Sequence, residues 1–495
     1  PGAELTISGP VTADGMGADI ALSTTGSGDI ALEGTVTADD DEIAVTSAGG
    51  IGGSGGIAAA SAALEAVTDI GSAADPLDTD VDTLDAATTG AGSIYIAEAD
   101  ALTLGGSAAI TTGADDRHIE VGVGGVLTVA QNVTATGDGA VTLVSTDTGG
   151  GSGIVVQSGV TVGTAAGTLA LDAGGAAVTL HDANAPSHSL LRSTEGDIEI
   201  AAGALVIETN DPTAAIQIEA PAGALTLLPG AGTTVALGDG AADGDFALDD
   251  DDIAALSLAS LAIGADAGRV GAIDIDTADF GETGLTLFGA AGVTDVGAGT
   301  HLTAGALTID TTGVVGDAAD LVDTALGTAV RTIDIVASAI DIDNVHADLV
   351  TVARLHAGGG GAIDFDQSGG NVTFNDVETA GTATLGASAN LVVAETGISA
   401  GTANLAAGGS ITGGVIGAGT ADLDAGNLIN VTTAAQTLDA ESATGGITIA
   451  NALAADVTVT ALRALGTGGI DFDQAGGGSL EIQAASTADG GIDIA

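Results

Sequence analysis

The sequence predicts an all-β chain built as a β-solenoid. Three observations point there: an apolar–any–apolar triplet recurring roughly every ten residues, Gly-rich corners between the triplets, and an apolar composition almost free of aromatic rings. The triplets include Ile20-Ala21-Leu22, Ile30-Ala31-Leu32, Leu127-Thr128-Val129, Ile198-Glu199-Ile200, Ile216-Gln217-Ile218 and Leu225-Thr226-Leu227. Ile273-Asp274-Ile275, Ile340-Asp341-Ile342 and Ile492-Asp493-Ile494 continue the pattern. Each has period two, which makes a short strand with one buried and one wet face. No long stretch carries the three-and-four spacing of an amphipathic helix. Strands this short cannot close a core alone, but stacked copies can.

Along the chain, the corners at 52–56 and 358–361 supply glycines for turns that need positive φ. The Ala-rich stretch 58–74 is the least regular and is expected to be a helical turn or a bulged coil. The coil period shows best at Ile198, Ile216, Val235 and Leu256, close to 20 residues per coil. Strands between them at Leu205-Val206-Ile207, Leu225-Thr226-Leu227 and Phe246-Ala247-Leu248 suggest two or three strands per turn. A gap-free internal duplication relates 340–374 to 447–482, with Ile363-Asp364-Phe365-Asp366-Gln367 repeated as Ile470-Asp471-Phe472-Asp473-Gln474. Nothing reads as a linker, so residues 1–495 are expected to form one continuous solenoid. Strand motifs run from Leu5-Thr6-Ile7 to Ile494 without a polar cap, so a piece of a longer chain, or ends covered by further copies, is expected.

Composition narrows the class. Gly is 81 of 495 residues but Pro only 7, which excludes collagen and Pro-rich disorder. Apolar content of 45% argues against a disordered acidic tail, and aromatics at 1% suit a narrow interior fed by every coil. Cysteine is absent, so neither disulfides nor thiol chemistry contribute. No apolar run approaches the roughly 18 residues of a membrane span. There are 67 acids against six bases, for a net charge of −61, and all six bases are Arg. Such a charge excludes nucleic acid and anionic membrane surfaces as partners and favours counterions, divalent ones above all.

Residues 70–104 contain Ile70-Gly71, Asp75-Pro76-Leu77-Asp78-Thr79, Val81, Leu84, Gly92-Ser93-Ile94-Tyr95-Ile96, Glu98 and Leu102-Thr103-Leu104. This segment resembles a stretch of very large bacterial surface proteins of the filamentous-haemagglutinin and autotransporter type. The segment from Gly469 to Gly477, and its partner near Ile363, is similar to repeats of the same proteins. The resemblance implies a right-handed parallel β-helix, export, and a role in adhesion, aggregation or an extracellular layer.

Calcium is the cofactor the acidic runs suggest, because it takes six to eight oxygens that clustered carboxylates can supply. The candidate ligands are Asp39, Asp40 and Asp41, beside Glu42, and Asp249, Asp250, Asp251 and Asp252, with Asp245 and the nearby Asp239 and Asp243. Both runs are placed at strand edges. Gly150-Gly151-Ser152-Gly153 is followed by Ile154-Val155, with no Asp where a calcium-binding nonapeptide needs one. Asp115-Asp116-Arg117-His118 brings acids, Arg and His together as a β-helical lyase or glycosidase would, but reads better as a polar turn. His181, His188 and Asp182 fit no zinc spacing, and His301, His346 and His356 are expected in loops. Asn132, Asn371 and Asn430 match the glycosylation pattern, but Asn on a solenoid corner more often joins a hydrogen-bonded ladder.

The function expected is a non-enzymatic, extracellular structural and adhesive rod, part of a cell-surface adhesin, filament or sheath that self-associates. The competing readings are a polysaccharide-active β-helical enzyme, disfavoured by the scarcity of aromatics and bases, and a soluble acidic solenoid adapted to high salt.

Overall fold

A computed structural model describes residues 2–15, 17, 19–147, 149–182, 188–208, 216–239, 244–295, 302–316 and 326–495. The chain is a parallel β-solenoid, 64% strand, with coils of about 22 residues. It divides into two compact units, Pro1–Ala231 with Asp245–Gly264, and Gly232–Gly244 with Ala265–Ala495.

In the first unit three strands make a coil. Ile119–Val123, Leu127–Val129 and Val133–Ala135 stack on Val141–Ser145, Ser152–Val156 and Thr161–Thr164 in parallel register. Like sits on like. One buried column runs Ile94, Ile119, Val141, Leu169, Ile198, Leu225 and Leu261, every member at most 1% exposed. The next residue on each strand faces out, including Glu120, Thr142 and Glu199. Burying each aliphatic chain contributes on the order of 1.5–3 kcal/mol, and ladder hydrogen bonds to both neighbours satisfy the backbone.

In the second unit a comparable column runs Ile342, Phe365, Leu385, Leu405, Leu423, Ala440 and Leu462. Phe365 also meets Phe374 edge to face, with ring centroids 5.4 Å apart. The duplicated core positions Ile340, Ile342, Val350, Val352, Ile363 and Phe365, and their counterparts Ile447, Ile449, Val457, Val459, Ile470 and Phe472, are all at most 2% exposed. At the last strand, Ile492 and Ile494 are instead 45% and 39% exposed.

Three local expectations need correction. Ile198 stacks on Leu225 and Val235 on Ile273, while Leu256 stacks on Ile218, so the series Ile198, Ile216, Val235 and Leu256 is not one column. Ile216 itself is 41% exposed. Corners of unequal length cause the error, since they shift triplets by a different amount in each coil. The Ala-rich stretch holds neither helix nor bulge, but the strand Gly56–Ala66, in register with Leu77–Thr88. Neighbouring strands outweigh alanine's helical preference there. The bulge lies one coil earlier, between Ala38 and Glu42, where Asp39, Asp40 and Asp41 are extra to the pairing. Finally, His346 and His356, expected in loops, stand in the strands Ala339–His346 and Val350–Ala357, while Asp249, Asp250, Asp251 and Asp252 follow directly on the strand Phe246–Leu248 and begin a short helix, Asp250–Ala254.

At the corners, Gly53 has φ of 122° and an added Cβ would lie 2.3 Å from the Leu32 carbonyl oxygen, so glycine is required there. Gly359 and Gly360, both at positive φ, make the sharp turn at Gly358–Gly360.

Candidate functional site: carboxylate columns on the coil faces

Three arrangements of acidic side chains stand out, besides the run at 249–252. The first is at the corners, where a side-chain oxygen accepts a backbone N–H from the following coil. The amide of Gly50 donates to Asp29 at 2.7 Å, Ser93 to Asp69 at 2.7 Å, Ala224 to Asp197 at 2.8 Å and Ser479 to Asp456 at 3.0 Å. Asn132 accepts from Thr161 and Asn371 from Asn390, whose own oxygen accepts from Ser410. Two of the three sequon asparagines thus join inter-coil bonds, while Asn430 lies exposed within the strand Ile429–Ser442. Corner amides have no ladder partner of their own, so a short Asp, Asn or Ser beneath them fills the gap. At Asp456, hydrogen bonds from the Ser479 hydroxyl and amide hold the carboxyl below its usual range.

Asp85 is the most heavily used bracket, accepting from the Ser107 amide, the Ser107 hydroxyl at 2.6 Å and the Ala108 amide. Asp85→Ala is expected to cost about 1–2 kcal/mol, whereas Asp85→Asn, which keeps an acceptor oxygen, should lose much less. Chemical denaturation of the two variants separates a hydrogen-bonding role from a charge role.

The second arrangement is in the first unit. Asp39 and Asp40 on the bulge, with Asp40 at φ 57°, share a shallow notch with Asp80 and Asp82. The coil between them carries only Ala58, Ala59 and Ala60 there, so the floor recedes. Asp41 accepts from the Gly17 amide at 2.9 Å. Beside the notch, Asp80, Glu98 and Asp100 bring one carboxylate oxygen each within 4.8 Å of one another, the one such trio of acids and histidines among the described residues. Glu98 is 5% exposed, and its carboxylate accepts from the Val81 amide at 3.1 Å and the Ala99 amide at 2.8 Å. Burial raises its pKa, and the bonds from Thr79 and the backbone amides oppose the rise.

Sequence reasoning missed this trio. Glu98 and Asp100 follow one another on one coil, and Asp80 of the preceding coil joins them because Thr79 and Glu98 are in register. The signal was parity: in Ile94-x-Ile96-x-Glu98 the acid falls on the inward beat.

The acids at 249–252 are organised by the helix they begin. The Asp249 carboxylate accepts from the Asp252 amide at 2.8 Å, and the Asp252 carboxylate accepts from the Asp249 amide at 3.2 Å, a reciprocal capping box. Burial, then the charges of Asp249 and Asp251, push Asp252 up to about 7. Asp250, Asp251 and Asp245 are exposed, and Asp243 lies outside the described residues.

The third arrangement is a groove on the second unit. Asp341 and Asp343 stand in register on Asp364 and Asp366. The next two coils place Gly386 and Ala406 where Asp366 would continue, which opens a floor of small residues. Acids return as Asp424 and Glu441, beside Asp422 and Asp439, and the column ends at Arg463. Burial and then the neighbouring Asp364, Asp343, Asp366 and Asp295 charges raise Asp341 to about 6. Asp364, Asp422 and Asp424 are raised for the same two reasons, loss of water first and like charges second.

The remaining candidates are held by local bonds. Asp116, at φ 61°, accepts from the Asp138 amide and His118 from the Ala140 amide, so the 115–118 segment makes a bonded turn. His181 pairs with Glu208 at 2.8 Å and His188 with Asp182 at 3.2 Å, and the Asp182 amide donates to the same Glu208 oxygen at 3.4 Å. His356 pairs with Asp376, and His346 stands 3.3 Å from the Arg331 side chain by one ring nitrogen and 3.1 Å from the Asp348 amide by the other, only one of which accepts at a time; His301 lies outside the described residues. No helix among the described residues is long and apolar enough to cross a membrane. No protein-family model, curated protein or solved structure matches the chain.

Proposed function

We propose that the protein is a non-enzymatic structural and adhesive solenoid of the extracellular cell surface, part of an adhesin, filament or sheath that self-associates. One observation carries this reading: polar side chains are spent on joining coil to coil at the corners, and the other acids stand in open columns on the faces. A stack so charged must overcome repulsion between carboxylates roughly 4.8 Å apart, inside the ~8 Å Debye length of physiological salt. Divalent cations bridging carboxylates on the first unit's coils, or on neighbouring copies, turn that repulsion into attraction. Calcium is the proposed cation. Asp80, Glu98 and Asp100 are its first candidate ligands, joined by Asp39, Asp40, Asp41, Asp245 and the four acids at 249–252. Such bridging suits a layer that holds together outside the cell, where calcium is plentiful, and it gives nucleic acid and the membrane interior no part as partners.

Thermal melting and light scattering, run in millimolar calcium, in chelator, and in sodium chloride at matched ionic strength, test this. Calcium is expected to raise the melting temperature and the scattering more than sodium does, and Asp100→Asn to lose part of the melting shift. Equal effects of sodium and calcium would replace the calcium reading with adaptation to high salt.

A further inference from the structure

We propose that Asp422, Asp424, Asp439 and Glu441 of the second unit act as a proton-sensitive brake on coil stacking, with Arg463 as their counter-ion. The geometry is a rectangle of four carboxylates. Asp422 faces Asp439 and Asp424 faces Glu441 across two parallel coils, and the pairs lie two residues apart on one outward face. From the strand Val457–Ala464, Arg463 reaches Asp439 at 3.4 Å and Glu441 at 3.6 Å. Thr460 also donates to Asp439. From the strand Leu391–Ala407 the facing residues are Asn404 and Ala406, which bring no charge. Across the groove stand two more acids, Asp343 and Asp366. One cation therefore serves four anions, and it sits on the side away from Asp422 and Asp424.

Those two acids take the remedy that is left, a proton. Both have raised pKa values, with loss of water the first cause and the neighbouring acids the second, and Arg463 opposing. A proton taken from solvent by Asp422 or Asp424 turns a repelling pair into a carboxylic acid donating to a carboxylate on the adjacent coil. The folded unit then holds more protons than the unfolded chain between the ordinary carboxylate pKa and the raised one. Stability from this source is complete below the ordinary carboxylate pKa, and is lost as pH rises through the raised one. The unit is tightened below the raised pKa and relaxed above it, without any bound metal.

The test is the melting temperature from pH 8 to pH 5, in chelator and fixed sodium chloride, for the full chain, Asp422→Asn/Asp424→Asn and Arg463→Gln. The unmodified chain should melt higher as pH falls. The double variant should melt higher than the unmodified chain at pH 8 and gain less on acidification, because its repulsion is already gone. Arg463→Gln should melt lower at pH 8 and gain more. The Asp341 ladder titrates in the same direction, so the difference between profiles is what counts. Parallel profiles for the double variant and the unmodified chain, or a double variant less stable at pH 8, would overturn the proposal. Arg463→Gln gives an independent reading should the double variant fold poorly: an unchanged slope there would also overturn it.

Discussion

Phe365→Ala is expected to destabilise the second unit by about 3–5 kcal/mol, the largest loss from any single core truncation considered. The ring is fully buried, lies between Ile342 and Leu385 in its column, and meets Phe374 at its edge. Removing it leaves a cavity that coils held in register by continuous ladders cannot close. Ile494→Ala should cost far less, about 1 kcal/mol or under, because that side chain is already 39% exposed. Urea denaturation of both variants checks the contrast. Comparable losses would mean that column position does not set the contribution of a core residue.

Asn344→Leu is the second large effect, expected at about 3 kcal/mol or more, despite the gain in apolar volume. Asn344 is 1% exposed, and all its capacity is used. Its carbonyl accepts from the Thr328 hydroxyl and the Val330 amide, both at 2.9 Å. Its amide donates to the Val330 carbonyl at 3.0 Å and to Gln367 at 2.7 Å. Leu would leave those buried partners unsatisfied. The duplicated unit repeats the device, with Asn451 bonded to Thr433, both backbone groups of Ala435, and Gln474. Asn451→Leu should therefore lose a similar amount. A near-neutral Asn344→Leu would show that the ladder is incidental to stability.

These asparagines also show where the sequence is legible. Period two revealed the strands and the solenoid, and it placed Ile340, Ile342, Ile363 and Phe365 inside. It holds because neighbours stack like on like, so each coil repeats the demand for an aliphatic residue at one beat. The same beat carries Asn344 after Ile340 and Ile342, Gln367 after Ile363 and Phe365, and Glu98 after Ile94 and Ile96. A polar residue on the third inward beat was the legible sign of a buried polar group, and reading only apolar positions passed over it. Coil spacing was harder, because corners of varying length set it and sequence proximity does not: Ile198 looked paired with Ile216 but stacks on Leu225. The acidic runs at 39–41 and 249–252 stood out because they are contiguous, yet one is a bulge and the other a helix cap. The trio of Asp80, Glu98 and Asp100 and the groove from Asp343 to Arg463 arise only from register between coils. Acid pairs such as Asp341 with Asp343 and Asp422 with Asp424 give no local sign of which coil they will face.

The role proposed for the acids is assembly at a cell surface, not chemistry on a substrate. Labelling intact cells of the source organism with an antibody to the folded chain, before and after washing with a calcium chelator, tests this most directly. Intact cells should label, and the chelator should release the protein or sharply weaken the layer while sodium chloride at equal ionic strength leaves it in place. Labelling that appears only after the cells are broken open would contradict the account.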